Sequence, residues 1–154
     1  MVKILFVCLG NICRSPMAER VMTDIVKKRG LQNEFVIASA ATSYEEEGNP
    51  IYPPARRKLV EKGVEVLSHY ATVLTRDDKD KYDLIVAMEE RNLRAIYRII
   101  GDSDKVHRLL DFSPRPRDIA DPWWTGDFET TYDDIAEGCE CLLDYCVKNL
   151  IKQQ

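Results

Sequence analysis

An α/β fold built on a parallel sheet is what this sequence predicts, and three observations predict it. Short, nearly uninterrupted apolar runs recur along the chain, as strands buried on both faces require. Longer amphipathic stretches with helix-start and helix-stop residues alternate with them. That alternation implies βαβ units, and so a layer of helices on each face of one sheet. At 154 residues the chain has the size of one domain around one core.

The elements follow in order. Residues 2–7 are apolar apart from Lys3 and read as the first buried strand. Ser15 and Pro16 open the first helix, Ser15 as N-cap and Pro16 at the first helical position. Met17, Val21, Ile25 and Val26 share its apolar face, and Gly30 ends it. Residues 35–41 read as a second strand. Pro53 or Pro54 starts a helix through Leu59 and Val60 that stops at Gly63. Residues 82–88 are a third buried strand, and residues 89–100 a helix with acids first and Gly101 beyond it. Residues 106–110 form a weaker fourth strand. Residues 113–124, rich in Pro, Arg and Asp, read as a long loop. Residues 127–151 read as a terminal helix carrying Ile135, Leu142, Leu143, Cys146 and Leu150. No repeat, linker or low-complexity segment divides the chain, so residues 1–154 are expected to form a single domain.

Composition narrows the function. The formal net charge is −4, which leaves no basic excess to neutralise a nucleic-acid backbone or to hold an anionic membrane surface. The N-terminal apolar run is too short for a signal peptide or a membrane span, and neither end carries a lipidation motif. A cytoplasmic protein with neither nucleic-acid nor membrane partners is expected. The five cysteines, Cys8, Cys13, Cys139, Cys141 and Cys146, are an odd set suited to reduced thiols. The last three lie in a helical context without His at ligand spacing, so they read as packing residues and no metal is expected.

Chemistry concentrates in Cys8-Leu9-Gly10-Asn11-Ile12-Cys13-Arg14-Ser15-Pro16, between the first strand and the first helix. A loop at the carboxyl end of a parallel strand exposes backbone N–H groups, and the following helix adds its positive end. Together they suit a phosphate. A thiol beside a helix N-terminus and an arginine is pushed toward its thiolate, the nucleophilic form, which singles out Cys8. Arg14 offers a planar fork matched to phosphate oxygens. Gly10 permits a turn that a side chain would obstruct. Ser15 can donate a hydrogen bond to the sulfur. The backbone of residues 9–15, from Leu9 through Gly10, Asn11, Ile12, Cys13 and Arg14 to Ser15, is the candidate phosphate cradle.

This segment resembles the phosphate-binding loop of the low-molecular-weight protein tyrosine phosphatases. The similarity continues, in order and at family spacing, through Ser39-Ala40-Ala41-Thr42-Ser43, Gly48-Asn49-Pro50, Ser68-His69, Met88-Glu89-Glu90-Arg91-Asn92-Leu93 and Asp121-Pro122. The resemblance implies a three-layer, flavodoxin-like (phosphotyrosine phosphatase I-like) fold with a four-stranded parallel sheet flanked by helices. It also implies a phosphotyrosine-protein substrate, inorganic phosphate as product, no cofactor, and a monomer with weak dimerisation at most.

Expelling a phenolate needs a proton donor, and hydrolysing the resulting phosphoenzyme needs a base. Asp121 matches the family's general acid; Pro122 holds it in an extended backbone. Asp118, three residues earlier, is the competing carboxylate. Asn11, Ser39 and His69 match residues that in the family bond to one another and hold the loop's shape, with Ser15 as a further support. His107 has no family role. Two aromatics after Asp-Pro are often tyrosines in the family; here they are Trp123 and Trp124, which can stack on a substrate ring but cannot be phosphorylated. With Ile12 and Tyr44 they are the candidate pocket walls, and Tyr44-Glu45-Glu46-Glu47 reads equally as one pocket wall or as a solvated acidic loop. Cys13, five residues after Cys8, is the candidate partner of a Cys8–Cys13 redox disulfide, which the resemblance also implies.

Three related readings compete. Thioredoxin-coupled arsenate reductases resemble this loop but relay a disulfide through later cysteines, and residues 75–100 contain none. Protein-arginine phosphatases of this fold carry Thr where Ile12 stands, whereas Ile12 offers an apolar wall for a tyrosine ring. A non-catalytic phosphate-binding module would be expected to lack Cys8 or the acid, and both are present.

Overall fold

The structure is a computed structural model and describes residues 1–151; the last three residues of the span expected as one domain, 152–154, lie outside the described residues. The strands are β1 (Val2–Cys8), β2 (Phe35–Ala41), β3 (Leu84–Ala87) and β4 (Val106–Arg108). The helices are α1 (Arg14–Lys28), α2 (Pro53–Glu61), α3 (Asp78–Lys81), α4 (Glu90–Ile100), α5 (Pro122–Thr125) and α6 (Phe128–Asn149). All strand pairs are parallel, in the order β2-β1-β3-β4. The four-stranded parallel sheet expected from the sequence is present, with helices on both faces.

Alternation along β1 builds the two cores. Ile4 and Phe6 face α1 and α6, where they meet Met17, Val21, Met22, Leu142 and Leu143. Leu5 and Val7 face α4 and meet Ile96 and Ile100. Each fully buried aliphatic side chain here contributes about 1.5–3 kcal/mol of transfer free energy. The glycine inside α6 is set by the closeness of this packing. A Cβ on Gly138 would lie 2.4 Å from Leu109 Cγ, so a side chain there would force Leu109 or α6 to shift. Cys139 and Cys146 are fully buried in the same core, as packing residues are. No helix among the described residues is long and apolar enough to cross a membrane.

Several boundaries differ from expectation for local reasons. Helix α1 begins at Arg14, with Cys13 as its N-cap and Met17 N–H bonded to the Cys13 carbonyl at 3.0 Å. Ser15 is therefore not the cap, because its hydroxyl is engaged by the loop. Pro16 falls in the first turn, where no N–H is needed. Strand β3 is shorter than residues 82–88: the Met88 N–H turns to the Asn92 side chain, and Tyr82 closes the unforeseen turn α3. Strand β4 stops at Arg108 because Asp111 caps a short 3₁₀ turn over Leu109–Phe112. The long loop ends in α5, capped by Asp121, and Asp127 caps α6 rather than opening it.

The sheet order puts β1 between β2 and β3. The chain leaves β1 toward one edge and later returns on its other side, so a crevice opens at the carboxyl end of β1. The Cys-Arg loop stands there.

Candidate active site

Cys8 is the last residue of β1 and is only 3% exposed. Its Sγ lies 3.0 Å from the Ser15 hydroxyl and accepts the Asn11 N–H at 3.3 Å. Asn11 Nδ2 donates to the same Ser15 oxygen at 2.8 Å. With that oxygen already accepting, the serine hydrogen is free to point at the sulfur. Both contacts thus place a donor against the Cys8 sulfur, close to the N-terminal end of the fifteen-residue helix α1, whose first turn holds no acid.

The loop owes its shape to Asn11. Its φ of 58° is the one positive value at a non-glycine among the described residues. Left-handed backbone costs such a residue roughly 1–3 kcal/mol and persists only where surroundings over-determine it. Here they do. Besides Ser15, the Asn11 side chain accepts the Thr72 N–H at 3.1 Å, and His69 Nε2 meets the Asn11 carbonyl at 2.7 Å. Gly10 does not have a positive φ; a side chain there would be obstructed for another reason. Its need is space, since a Cβ there would lie 3.3 Å from Glu46 Cγ.

Ser39 stands outside this network. The alternation of β2 turns its side chain to α1, where it donates to Glu19 at 2.6 Å. Only its carbonyl touches the network, accepting the Thr72 hydroxyl at 3.4 Å. Ser39 is thus two bonds removed from Asn11, and Thr72 takes the place expected for it.

The Arg14 guanidinium is almost fully buried beneath the loop. Its Nη1 donates to the Ile119 carbonyl at 2.8 Å and lies 3.3 Å from Glu89 Oε2; its Nη2 lies 3.4 Å from Asp121 Oδ2. A buried arginine needs such partners, because an unpaired buried charge costs several kcal/mol. The two candidate carboxylates separate cleanly. Asp118 accepts the Glu90 N–H and an Arg108 N–H, both at 3.0 Å, and is engaged away from the loop. Asp121 faces Arg14, with its other oxygen accepting the Trp123 N–H at 3.0 Å.

Cys8, Arg14 and Asp121 line one cavity of about 260 Å³, together with Leu9, Gly10, Ile12, Cys13, Glu45, Glu46, Trp123 and Trp124. Tyr44 is not among them: it is 73% exposed and points off the acidic turn, so it is no pocket wall. Its neighbours Glu45 and Glu46 form that side instead, with Glu46 held by Asn49 Nδ2 at 2.7 Å. Trp123 leans on Tyr52, ring centroids 4.7 Å apart, and Tyr52 leans on Phe128. Trp124 is the outermost wall, largely exposed. Cys13 lines the cavity as a buried thiol. Burial first, then the Cys8 and Asp121 charges, push it well above the usual thiol range, against the pull of Arg14. Neither Cys8 nor Cys13 is bonded to another sulfur.

Four contributors escaped the reading of the sequence: Glu89, Thr72, Tyr52 and the Ile119 carbonyl. Glu89 alone left a signal, as an acid at the start of the helix after the strand beside β1. The others act through backbone groups or distant packing that no local pattern marks.

A flavodoxin-like sheet with a thiol, an arginine and an anion-adapted loop at its switch point defines a phosphate-handling α/β protein. The family model for low molecular weight phosphotyrosine protein phosphatases matches residues 3–154. The low molecular weight protein-tyrosine-phosphatase YfkJ of Bacillus subtilis is 37% identical over 147 residues, 93% of this chain and 94% of that protein. The low molecular weight phosphotyrosine protein phosphatase of Gallus gallus is 36% identical over 148 residues, covering 92% and 93%. The crystal structure of the Bacillus subtilis YfkJ superposes with a TM-score of 0.95 at 35% identity, covering 98% of both chains. This chain belongs to the low molecular weight phosphotyrosine protein phosphatase family.

Proposed function

We propose that the protein hydrolyses phosphotyrosine monoesters on protein substrates through a phosphocysteine on Cys8. One observation carries the reading. The Cys8 sulfur sits between two hydrogen-bond donors at the floor of a cavity whose wall bears Arg14 and Asp121, 3.4 Å apart. In the first step the Cys8 sulfur attacks phosphorus. An S–P bond forms as the bond to the tyrosine oxygen breaks, and Asp121 gives that oxygen its proton. In the second, Asp121 takes a proton from water, the water oxygen attacks phosphorus, and the S–P bond breaks to release inorganic phosphate. Arg14 and the N–H groups of residues 9–15 hold the equatorial oxygens throughout. Ser15 stabilises the sulfur as it leaves. Asn11 and His69 hold the loop. The scheme calls for neither metal nor organic cofactor.

Depth and walls favour tyrosine. A nucleophile buried at the cavity floor suits a phosphate carried on a long, flat side chain, and Ile12, Trp123 and Trp124 offer that ring apolar surface. Five unbonded thiols suit a reducing compartment, which supports a cytoplasmic enzyme. The test is Cys8→Ser. The variant should fold and bind phosphate yet lose hydrolysis of p-nitrophenyl phosphate; more than a trace of activity in clean protein would overturn the assignment.

A further inference from the structure

We infer that Thr131 of α6 is a positioning residue for Asp121: its hydrogen bond to the Ala120 carbonyl aims the acid. The inference rests on Asp121 being the general acid. Thr131 is 2% exposed, and its Oγ1 donates to the Ala120 carbonyl at 3.2 Å. A threonine within a helix commonly returns its hydroxyl to the carbonyl four residues back. Here that carbonyl, of Asp127, receives only the Thr131 N–H, at 3.4 Å. The hydroxyl crosses instead to another segment, eleven residues away in sequence.

What it holds is the one peptide on which the direction of Asp121 turns. Before it, Ile119 is fixed completely: the side chain is buried, the N–H bonds the Met88 carbonyl at 2.9 Å, and the carbonyl accepts Arg14 at 2.8 Å. After it, Pro122 is buried and Trp123 N–H caps onto Asp121. Ala120 lies between these anchors with an exposed side chain that fixes nothing. Because the peptide unit is planar, holding the Ala120 oxygen also sets the Asp121 nitrogen and the axis about which Asp121 rotates. Without the hydroxyl that peptide is free to tilt, and the carboxyl moves relative to Arg14 and to any leaving oxygen. Small misplacements of a reacting group are costly in rate.

The test uses Thr131→Val, which keeps volume and burial but removes the donor, and Thr131→Ser, which restores it. The measured quantity is kcat/KM, which reports steps up to loss of the leaving group, for phenyl phosphate and for p-nitrophenyl phosphate. The phenolate needs the proton; the nitrophenolate departs with little help. Thr131→Val should lose roughly tenfold on phenyl phosphate and less than about twofold on p-nitrophenyl phosphate. Inhibition by inorganic phosphate should be unchanged, and Thr131→Ser should recover most of the loss. Asp121→Ala, run in parallel, should show the same split, only larger. If Asp121→Ala splits the substrates and Thr131→Val does not, or lowers both equally, the positioning role is overturned and the acid stands. If Asp121→Ala shows no split, the acid assignment fails and this inference falls with it. Should Thr131→Val not fold, Thr131→Ala removes the same hydroxyl and is read against the same outcomes.

Discussion

Arg14 Nη2 lies 3.4 Å from Asp121 Oδ2, and Nη1 of the same guanidinium donates to the Ile119 carbonyl at 2.8 Å. One buried side chain therefore ties the proposed phosphate loop to the segment carrying the proposed acid. A planar fork can make these contacts at once; an ammonium on a flexible stem cannot.

Arg14→Lys should therefore fail although charge is conserved. kcat/KM for p-nitrophenyl phosphate should fall by about 10²–10³, the usual cost of removing an electrostatic donor from such a site. The circular dichroism spectrum should stay that of the unaltered protein. Activity within a few fold of the unaltered enzyme would show that charge alone suffices.

Ile12 bears on substrate choice. It lines the cavity as an apolar surface beside Cys8 and Arg14. The unaltered enzyme should cleave phosphotyrosine peptides far faster than phosphoserine or phosphoarginine peptides. Ile12→Thr should raise phosphoarginine cleavage relative to phosphotyrosine. Competition assays on matched peptides measure the ratio, and equal or faster phosphoarginine cleavage by the unaltered enzyme contradicts this role.

Cys13 should protect Cys8 from peroxide, and slowly. Peroxide oxidises the Cys8 sulfur to a sulfenic acid; attack by the Cys13 sulfur forms a disulfide and releases water. The Cys13 thiol is pushed up by burial and by neighbouring negative charge, so little of it is ionised at neutral pH. Disulfide formation should therefore accelerate as pH rises. After peroxide and then dithiothreitol, the unaltered enzyme should recover most activity and, before reduction, yield a Cys8–Cys13 linked peptide by mass spectrometry. Equal recovery by Cys13→Ser, with no linked peptide, would leave Cys13 a packing residue.

The base of the acid-bearing segment is fastened to α6 through Glu137, which takes N–H donors from Arg117 and the hydroxyl of Ser113. Arg117 first, then Ser113, lower its carboxyl from 4.5 to about 2. A depressed carboxyl contributes stability that is present above its unfolded value and lost as pH falls through its folded one. The melting-temperature gap between the unaltered protein and Glu137→Gln should hold from pH 7 to near 4.5 and close as pH approaches 2. A gap that is already gone at pH 4.5 would mean the pairing is absent in solution.

The sequence made most of the fold legible because β1, β2 and β3 are nearly continuous apolar runs and α1, α2 and α4 are bounded by start or stop residues; β4, Val106–Arg108, and the short α3 carry little such signal. Cys8 and Arg14 stand out because they share one short loop, whereas Asp121 is separated from Asp118 only by the family resemblance, since an Asp-Pro alone reads as a turn. Ser39 misled because strand alternation sends its side chain to Glu19. Tyr44 misled because it is exposed to solvent at the start of the acidic turn, leaving Glu45 and Glu46 on the cavity. Thr131 and Ile119 were invisible, since each acts through a backbone carbonyl brought close only by the packing of α6 and β3.

The proposed phosphocysteine is open to direct detection. Enzyme mixed with radiolabelled p-nitrophenyl phosphate and quenched in acid within milliseconds should carry label on one peptide, the one containing Cys8. Asp121→Ala, in which water is no longer deprotonated by the carboxylate, should accumulate more of it, and Cys8→Ser none. Label on a different residue, or full turnover with no labelled protein at any time, would contradict the mechanism.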